Sequence, residues 1–337
     1  HYDTVLKNSF IPVYTVDING QKKEHSVAIP GTIDKSILLY PHKIMASDKY
    51  LYILTQHAFL ILKKHSDSLK WVSVTDVPTT TTYHNFFVKG DSLVAFSEYY
   101  NHNQASGKEQ AGVQFYSIKA ESFSRFYRLP VDHIKASHFM MDAIEINEKH
   151  IVFSDIVTYR IMVYDWKMNL LFSQDMAATA LDWKTMPEEA FDEDTILSKS
   201  KHVIYALMPF FEKYSFINQT ILTNDTLFVF YRPHGFIKGN LLMDSYKISG
   251  DSLIRLTSAT IMNMDDHNKN KWIDENEGFV NDPGLLFIGD GFMDHLVLSA
   301  VPIRLPLKLG PFKRAAFRSL RSGSSVNTYW LRYEYTN

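Results

Sequence analysis

Four polar residues, His42, His84, Asp142 and Asn218, hold one common place in the sequence: each lies nine positions before the first apolar residue of a strand-like run (Leu51, Leu93, Ile151 and Leu227). Imidazole nitrogens suit zinc and other transition metals, while carboxylate and amide oxygens suit calcium or magnesium. Brought together, the four would make either a metal centre or a polar ligand pocket. The same four would also sit simply hydrated at a wet opening, because the set mixes harder and softer ligands.

A second set is the acidic, Asn-rich run 266–277, DHNKNKWIDENE. Read as a twelve-residue calcium loop, Asp266, Asn268 and Asn270 take positions one, three and five. Trp272 offers its carbonyl at seven, Asp274 stands at nine and Glu277 at twelve. The spacing resembles EF-hand and dockerin-type loops, which implies bound Ca2+. It departs at position six, where Lys271 replaces the glycine of the sharp turn. A non-glycine residue at positive φ costs about 1 kcal/mol. The expectation is a structural Ca2+ site or, equally, a hydrated loop.

A third set is basic. From Arg304 to Arg321 the chain carries Lys308, Lys313, Arg314 and Arg318 and meets no acid until Glu334. If the AAFRSLRS stretch is helical, Arg314, Arg318 and Arg321, spaced four and three apart, share a face able to grip a phosphate, sulfate or uronic acid. As a solvated stripe it would bind nothing. Other chemistry finds no support: no Gly-rich phosphate loop, GxSxG elbow or HExxH is present, and Cys is absent, which removes disulfides, thiolate metal sites and cysteine nucleophiles.

Positioning such scattered residues requires an extensive scaffold. The 337 residues are 45% hydrophobic and 14% aromatic, with 23 Phe and 19 Tyr, which favours β-structure around a large core. The net charge of -2 argues against nucleic acid as a partner. No run approaches the roughly 20 apolar residues of a spanning helix.

Most segments alternate apolar and polar residues over five to eight positions between Gly, Asp, Asn and Ser. One turn-then-strand phrase recurs as SDKYLYIL (47–54), GDSLVAF (90–96), NEKHIVF (147–153) and NDTLFVF (224–230). A hairpin-like stretch follows each of them: FLILKKHSDSLKWVSV, VQFYSIKAESFSRFYRL, RIMVYDWKMNLLFSQ and LMDSYKISGDSLIRL. A strand before the turn, the turn's own strand and the hairpin add to four antiparallel strands, the plan of a β-propeller blade. Blades are expected at 40–77, 82–131, 138–176 and 214–260, with a fifth around 285–305. FIPVYTVDI (10–18) and NTYWLRYEYT (327–336) are expected to pair and close a single propeller domain over 1–337. Six blades result, with five or seven as alternatives. Between blades, Ala, Glu, Lys and Leu accumulate near 178–212 and predict a short helical insertion begun by Pro187.

The third blade, IEINEKHIVFSDIVTYRIMVYDWKMNLL, with its acidic turn and Tyr-Arg-Ile strand entry, resembles those of the six-bladed TolB-like and NHL-like propellers, particularly exported bacterial ones. The resemblance implies a periplasmic, cell-surface or extracellular location, with a lipid anchor upstream as one possibility. It also implies a binding or scaffold role for most relatives and hydrolytic chemistry for a few. The innermost strand of each blade begins at the central channel, so the four aligned residues are expected to converge there. The expected function is to bind a protein or carbohydrate through the channel mouth. The alternative is a lactonase-like, metal-dependent hydrolase or lyase with a cation at the axis.

Overall fold

The structure is a computed structural model of the 337-residue chain. It describes residues 10–16, 22–28, 41–55, 57–65, 68–77, 81–101, 112–130, 144–187, 210, 213–234, 241–262, 285–292, 295–301, 312–321 and 327–335. The chain falls into two compact units, His1–Pro130 and Val131–Asn337. Both are built of antiparallel sheet, and four of the sheets have the sequential strand order of propeller blades.

The first unit opens with a hairpin, β1 (Phe10–Val16) and β2 (Lys22–Ala28). Its first blade runs β3 (Pro41–Ala46), β4 (Tyr50–Thr55), β5 (Ala58–Lys64) and β6 (Leu69–Asp76), hydrogen-bonded in that order. The second blade repeats the meander with β7 (Thr81–Lys89), β8 (Leu93–Asn101), β9 (Gly112–Ser117) and β10 (Ser122–Arg128). The middle strands carry unbroken apolar runs because both of their faces are covered: Leu51–Thr55 and Ala58–Leu62 are buried throughout. The outer strand β6 instead mixes exposed and half-buried residues.

One face of the first blade packs against the second blade through Tyr52, Leu54, Phe59, Ile61, Tyr83, Phe86, Phe96 and Tyr116. Its other face carries Leu51, Ile53, Leu60 and Leu62 in one cluster with Val27 of β2. Phe59 is the keystone, edge-on to Phe86 at 5.2 Å and to Phe96 at 5.1 Å. Each such aromatic pair adds about 0.5–1.5 kcal/mol beyond the burial of its area.

The second unit begins with a blade of β11 (Ile144–Ile146), β12 (Ile151–Ser154), β13 (Arg160–Tyr164) and β14 (Leu170–Asp175). Next comes β15 (Phe216–Thr223), β16 (Thr226–Arg232), β17 (Leu241–Ser249) and β18 (Ser252–Met262), another meander. The last sheet contains β19 (Leu285–Phe292), β20 (His295–Val301), β21 (Phe312–Arg321) and β22 (Asn327–Tyr335) in the spatial order β19-β20-β22-β21. The inner strands β11 and β15 lie side by side, as do β15 and β19.

The recurrent turn phrase works through side-chain capping. Asn147 Oδ1 accepts from Lys149 N at 2.9 Å and His150 N at 2.8 Å, and Ser47 Oγ accepts from Tyr50 N at 3.2 Å. Asp91 and Asn224 adopt positive φ, 50° and 37°, which short polar side chains tolerate best after glycine. Each tight turn then delivers a buried strand.

Three sequence expectations need correcting. Among the described residues there are four simple four-stranded meanders and a fifth sheet of different order, not six blades. Phe10–Val16 pairs with Lys22–Ala28, the nearest strand along the chain, over the short Asp17-Ile-Asn-Gly-Gln21 connection, where closing the loop costs little entropy. Asn327–Tyr335 takes its partners in the last sheet, β20 and β21. The basic run up to Arg321 is strand, not helix. Of the helical insertion, a 3-10 turn at Ala177–Thr179 and one helical hydrogen bond from Tyr214 N to Phe210 O, 2.7 Å, are described; 188–209 lies outside the described residues. No helix among the described residues is long and apolar enough to cross a membrane.

Candidate functional site

The expectation of equivalent positions on inner strands has a structural counterpart. In the first blade Pro41 pairs with Thr55 and Lys43 with Leu54, so His42 is the extra residue of a β-bulge. In the second, Tyr83 pairs with Glu98 and Asn85 with Ser97, leaving His84 as the extra residue. In the β15–β18 blade, Ile217 pairs with Tyr231 and Gln219 with Phe230, which leaves Asn218. Three blades thus place the same bulge at the same point of their first strand. A bulge bends the strand, takes one residue out of the ladder and re-aims side chains, and bulges are over-represented beside binding and active sites. Asp142, the fourth aligned residue, lies outside the described residues, as does the 266–277 loop.

His42 and His84 belong to neighbouring inner strands of one unit, since β3 runs beside β7. The residues that follow the two bulges are linked directly: Lys43 Nζ donates to Asn85 Oδ1 at 2.5 Å, and Asn85 is buried. Further along, two residues past Lys43 and three past Asn85, Val88 N donates to Met45 Sδ at 3.4 Å. Asn218 is half-buried on β15 of the other unit. Among the described side chains no group of three His, Asp or Glu stands close enough to hold a metal ion.

The basic stripe is dispersed. Arg314, Arg318 and Arg321 lie on β21, the last strand of its sheet, with Tyr333, Trp330 and Asn327 as Cα partners and a register shift between Arg314 and Ala316. On a strand, with its period of two, the spacing of three puts Arg318 and Arg321 at alternating register positions, so the single shared helical face is absent.

Nothing in the sequence pattern marks the most extensively bonded polar cluster among the described residues. Asp244 on β17 is fully buried and accepts from Tyr159 Oη (2.9 Å), Tyr246 Oη (3.0 Å) and Ser258 Oγ (2.6 Å), while Arg255 Nη2 stands 2.7 Å away. Arg255 also donates to Thr179 O at 2.5 Å. Tyr231 Oη accepts from Leu181 N at 3.0 Å, and the Tyr159, Trp183 and Tyr231 rings pack with centroids 4.8–5.7 Å apart. Burial, reinforced by the charge of Asp244, pushes the Tyr159, Tyr231 and Tyr246 hydroxyls above their ordinary range. Arg255 is held above its usual value: burial acts against it, and the bond and charge of Asp244 outweigh that. The cluster clamps the segment leaving β14 onto the following blade. Asp244, Arg255 and the three phenols are satisfied within it, while the buried Trp183 Nε1 has no hydrogen-bond partner, and the bonded core acts as a structural fastening.

No protein-family profile matches the chain, and no curated protein matches it. Solved structures do. A Bacteroides fragilis protein provisionally described as exported aligns at 9% identity over 87% of this chain and 77% of that one, with a TM-score of 0.49. The Nup133 β-propeller domain of Vanderwaltozyma polyspora aligns at 9% identity over 97% and 90%, TM-score 0.46. The β-propeller domain of the Trilobed protease from Pyrococcus furiosus aligns at 9% identity over 86% and 82%, TM-score 0.42. Likeness at this level says nothing of what the present chain binds.

Proposed function

We infer that this chain is an exported binding or scaffold module that takes a protein or carbohydrate partner at the inner-strand starts of its blades, with His42 and His84 as the contact residues of the first unit and Asp142 and Asn218 as those of the second. One observation carries the reading: His42, His84 and Asn218 are each the extra residue of the same bulge. Repeated disruption of a ladder at one level is costly to keep unless the residues taken out of it have a use. No motif for a common hydrolytic machinery accompanies them.

The test is capture from extracellular or periplasmic extracts and on a glycan array, with the intact chain and with His42→Ala, His84→Ala and Asn218→Ala. Binding that weakens in those variants but persists in the outer-strand variant Lys70→Ala supports the reading; equal binding by all of them overturns it. A second reading, a metal-dependent hydrolase or lyase with an axial cation, is favoured by the two histidines of the first unit. Turnover of a small ester or lactone that is lost in His84→Ala would select it.

A further inference from the structure

The five four-stranded sheets share an irregularity at their outer strand. In the first blade Ile61 pairs with Ser73 and Leu62 with Trp71, so Val72 of β6 is an extra residue. Leu171 of β14 is extra between Leu170, which pairs with Tyr164, and Phe172, which pairs with Val163. Leu256 of β18 is extra between Arg255, which pairs with Tyr246, and Thr257, which pairs with Ser245. In the second blade Ser124 and Arg125 of β10 together stand opposite Phe115, and in the last sheet Ala315 of β21 is extra. The pairs of middle strands, β4 with β5, β8 with β9, β12 with β13, β16 with β17 and β20 with β22, keep an unbroken register. In three blades the bulges stand at one level: Leu62, Tyr164 and Tyr246, which adjoin them, are the Cα partners of Leu51, Ile151 and Leu227.

These bulges differ in chemistry from those of the inner strands. There the extra residues are the polar His42, His84 and Asn218, whereas Val72, Leu171 and Leu256 are aliphatic and 53%, 45% and 46% exposed. They fall where the outer strands are most apolar, in Trp71-Val72, Leu170-Leu171-Phe172 and Leu253-Ile254-Arg255-Leu256. Each of β6, β14 and β18 is the end strand of its sheet. An apolar end strand with a free ladder is a template for pairing with another chain. β14 has no Lys or Arg to discourage such pairing, and the Arg255 guanidinium of β18 is engaged by Asp244. A bulge bends and twists its strand, so the outward N–H and C=O groups no longer line up with a straight partner. We propose that the outer-strand bulges are guards that keep these sheets from accepting a further strand from a second copy of this chain. The proposal is independent of the contact residues inferred above.

The experiment deletes Val72, Leu171 and Leu256 together from the full-length chain. Every other pair is kept, because Trp71 and Ser73, Leu170 and Phe172, and Arg255 and Thr257 already face successive residues of the neighbouring strand. In sedimentation velocity the deletion variant should lose the wild-type boundary to faster species that grow with protein concentration, and its infrared spectrum should gain an intermolecular β-sheet band. The variant Val72→Ser/Leu171→Ser/Leu256→Ser removes the apolar side chains but keeps the bulges, and it should sediment as the wild type does. A folded deletion variant that sediments like the wild type overturns the proposal, as does equal association of the serine variant. If the deletion variant does not fold, hydrogen exchange of the wild type decides. The amides of β6, β14 and β18 that point away from the neighbouring strand should exchange at the same rate at low and high protein concentration, and protection that rises with concentration overturns the guard.

Discussion

Tyr159 and Asp244, 85 positions apart in sequence, are joined by a 2.9 Å hydrogen bond in which the phenol donates to a carboxylate without solvent exposure. Tyr159 makes that bond from φ 56°, a conformation that disfavours a bulky side chain by about 1–2 kcal/mol. The bond and the Trp183 and Tyr231 rings hold it there. Removing the acceptor strands two buried phenols and leaves Arg255 without its counter-charge. Asp244→Ala should therefore cost about 3–5 kcal/mol, read as a lowered urea midpoint, and Asp244→Asn should cost less because the amide oxygen still accepts.

The same cluster sets the alkaline limit of the fold. Burial, then the charge of Asp244, raises the Tyr159, Tyr231 and Tyr246 phenols above the ordinary 10.0, and burial with the bond to Asp91 does so for Tyr52. Above pH 10 the unfolded chain releases these protons while the folded chain keeps them, so stability falls as pH rises. Below pH 10 the contribution is fully present. From about pH 8 urea midpoints should be level up to that point and then decline, with a shallower decline in Tyr246→Phe; a midpoint unchanged between pH 9 and 11 would contradict this.

His150 acts at the acid side. Its Nδ1 is buried without a partner, and burial, opposed by Asp225 and assisted by Lys149, lowers its pKa below 6.5. Once pH drops below 6.5 the unfolded state takes up a proton that the folded state resists, and stability is lost. His150→Gln should flatten the pH dependence of the unfolding midpoint between about pH 5 and 7, and an NMR titration should place the wild-type imidazole below its usual value.

In the second blade, a Cβ added at Gly112 would overlap the ring of Phe126 and the carbonyl oxygen of Tyr127. Backbone cannot retreat as a flexible side chain can. Gly112→Ala should destabilise the first unit by about 1–3 kcal/mol, with loss of amide protection in β9 and β10 measured by hydrogen exchange.

Truncating Phe59 tests the packing between the first two blades. The ring is fully buried and meets Phe86, Phe96 and Tyr116 edge-on. Phe59→Ala should cost about 3–5 kcal/mol, more than the exposed Val72→Ala on β6, and calorimetry distinguishes the two.

Four blades were legible because turn and strand lengths repeat, and counting back nine residues from Leu51, Leu93 and Leu227 reached the bulged residue each time. Of the last sheet the strands within 285–305 and 327–336 were legible but their pairing was not, because its order departs from the order of the chain and alternation in sequence carries no information on spatial neighbours. The Arg314–Arg321 spacing mimicked a helical face, although Phe317, Ser319 and Arg321 alternate with Arg318 and Leu320 as strand residues do. Asp244 read as an ordinary polar residue of a strand. Only the assembly of β17 and β18 with Tyr159, in the turn between β12 and β13, reveals what surrounds it.

The placement of β22 between β20 and β21 bears on how the chain matures during synthesis. When translation has passed Arg321 but not Asn327, three strands of the last sheet have been made, and the one that joins β20 to β21 has not. Until it arrives the edges of β20 and β21 that β22 will join present unpaired backbone, which is open to wrong pairing in the meantime.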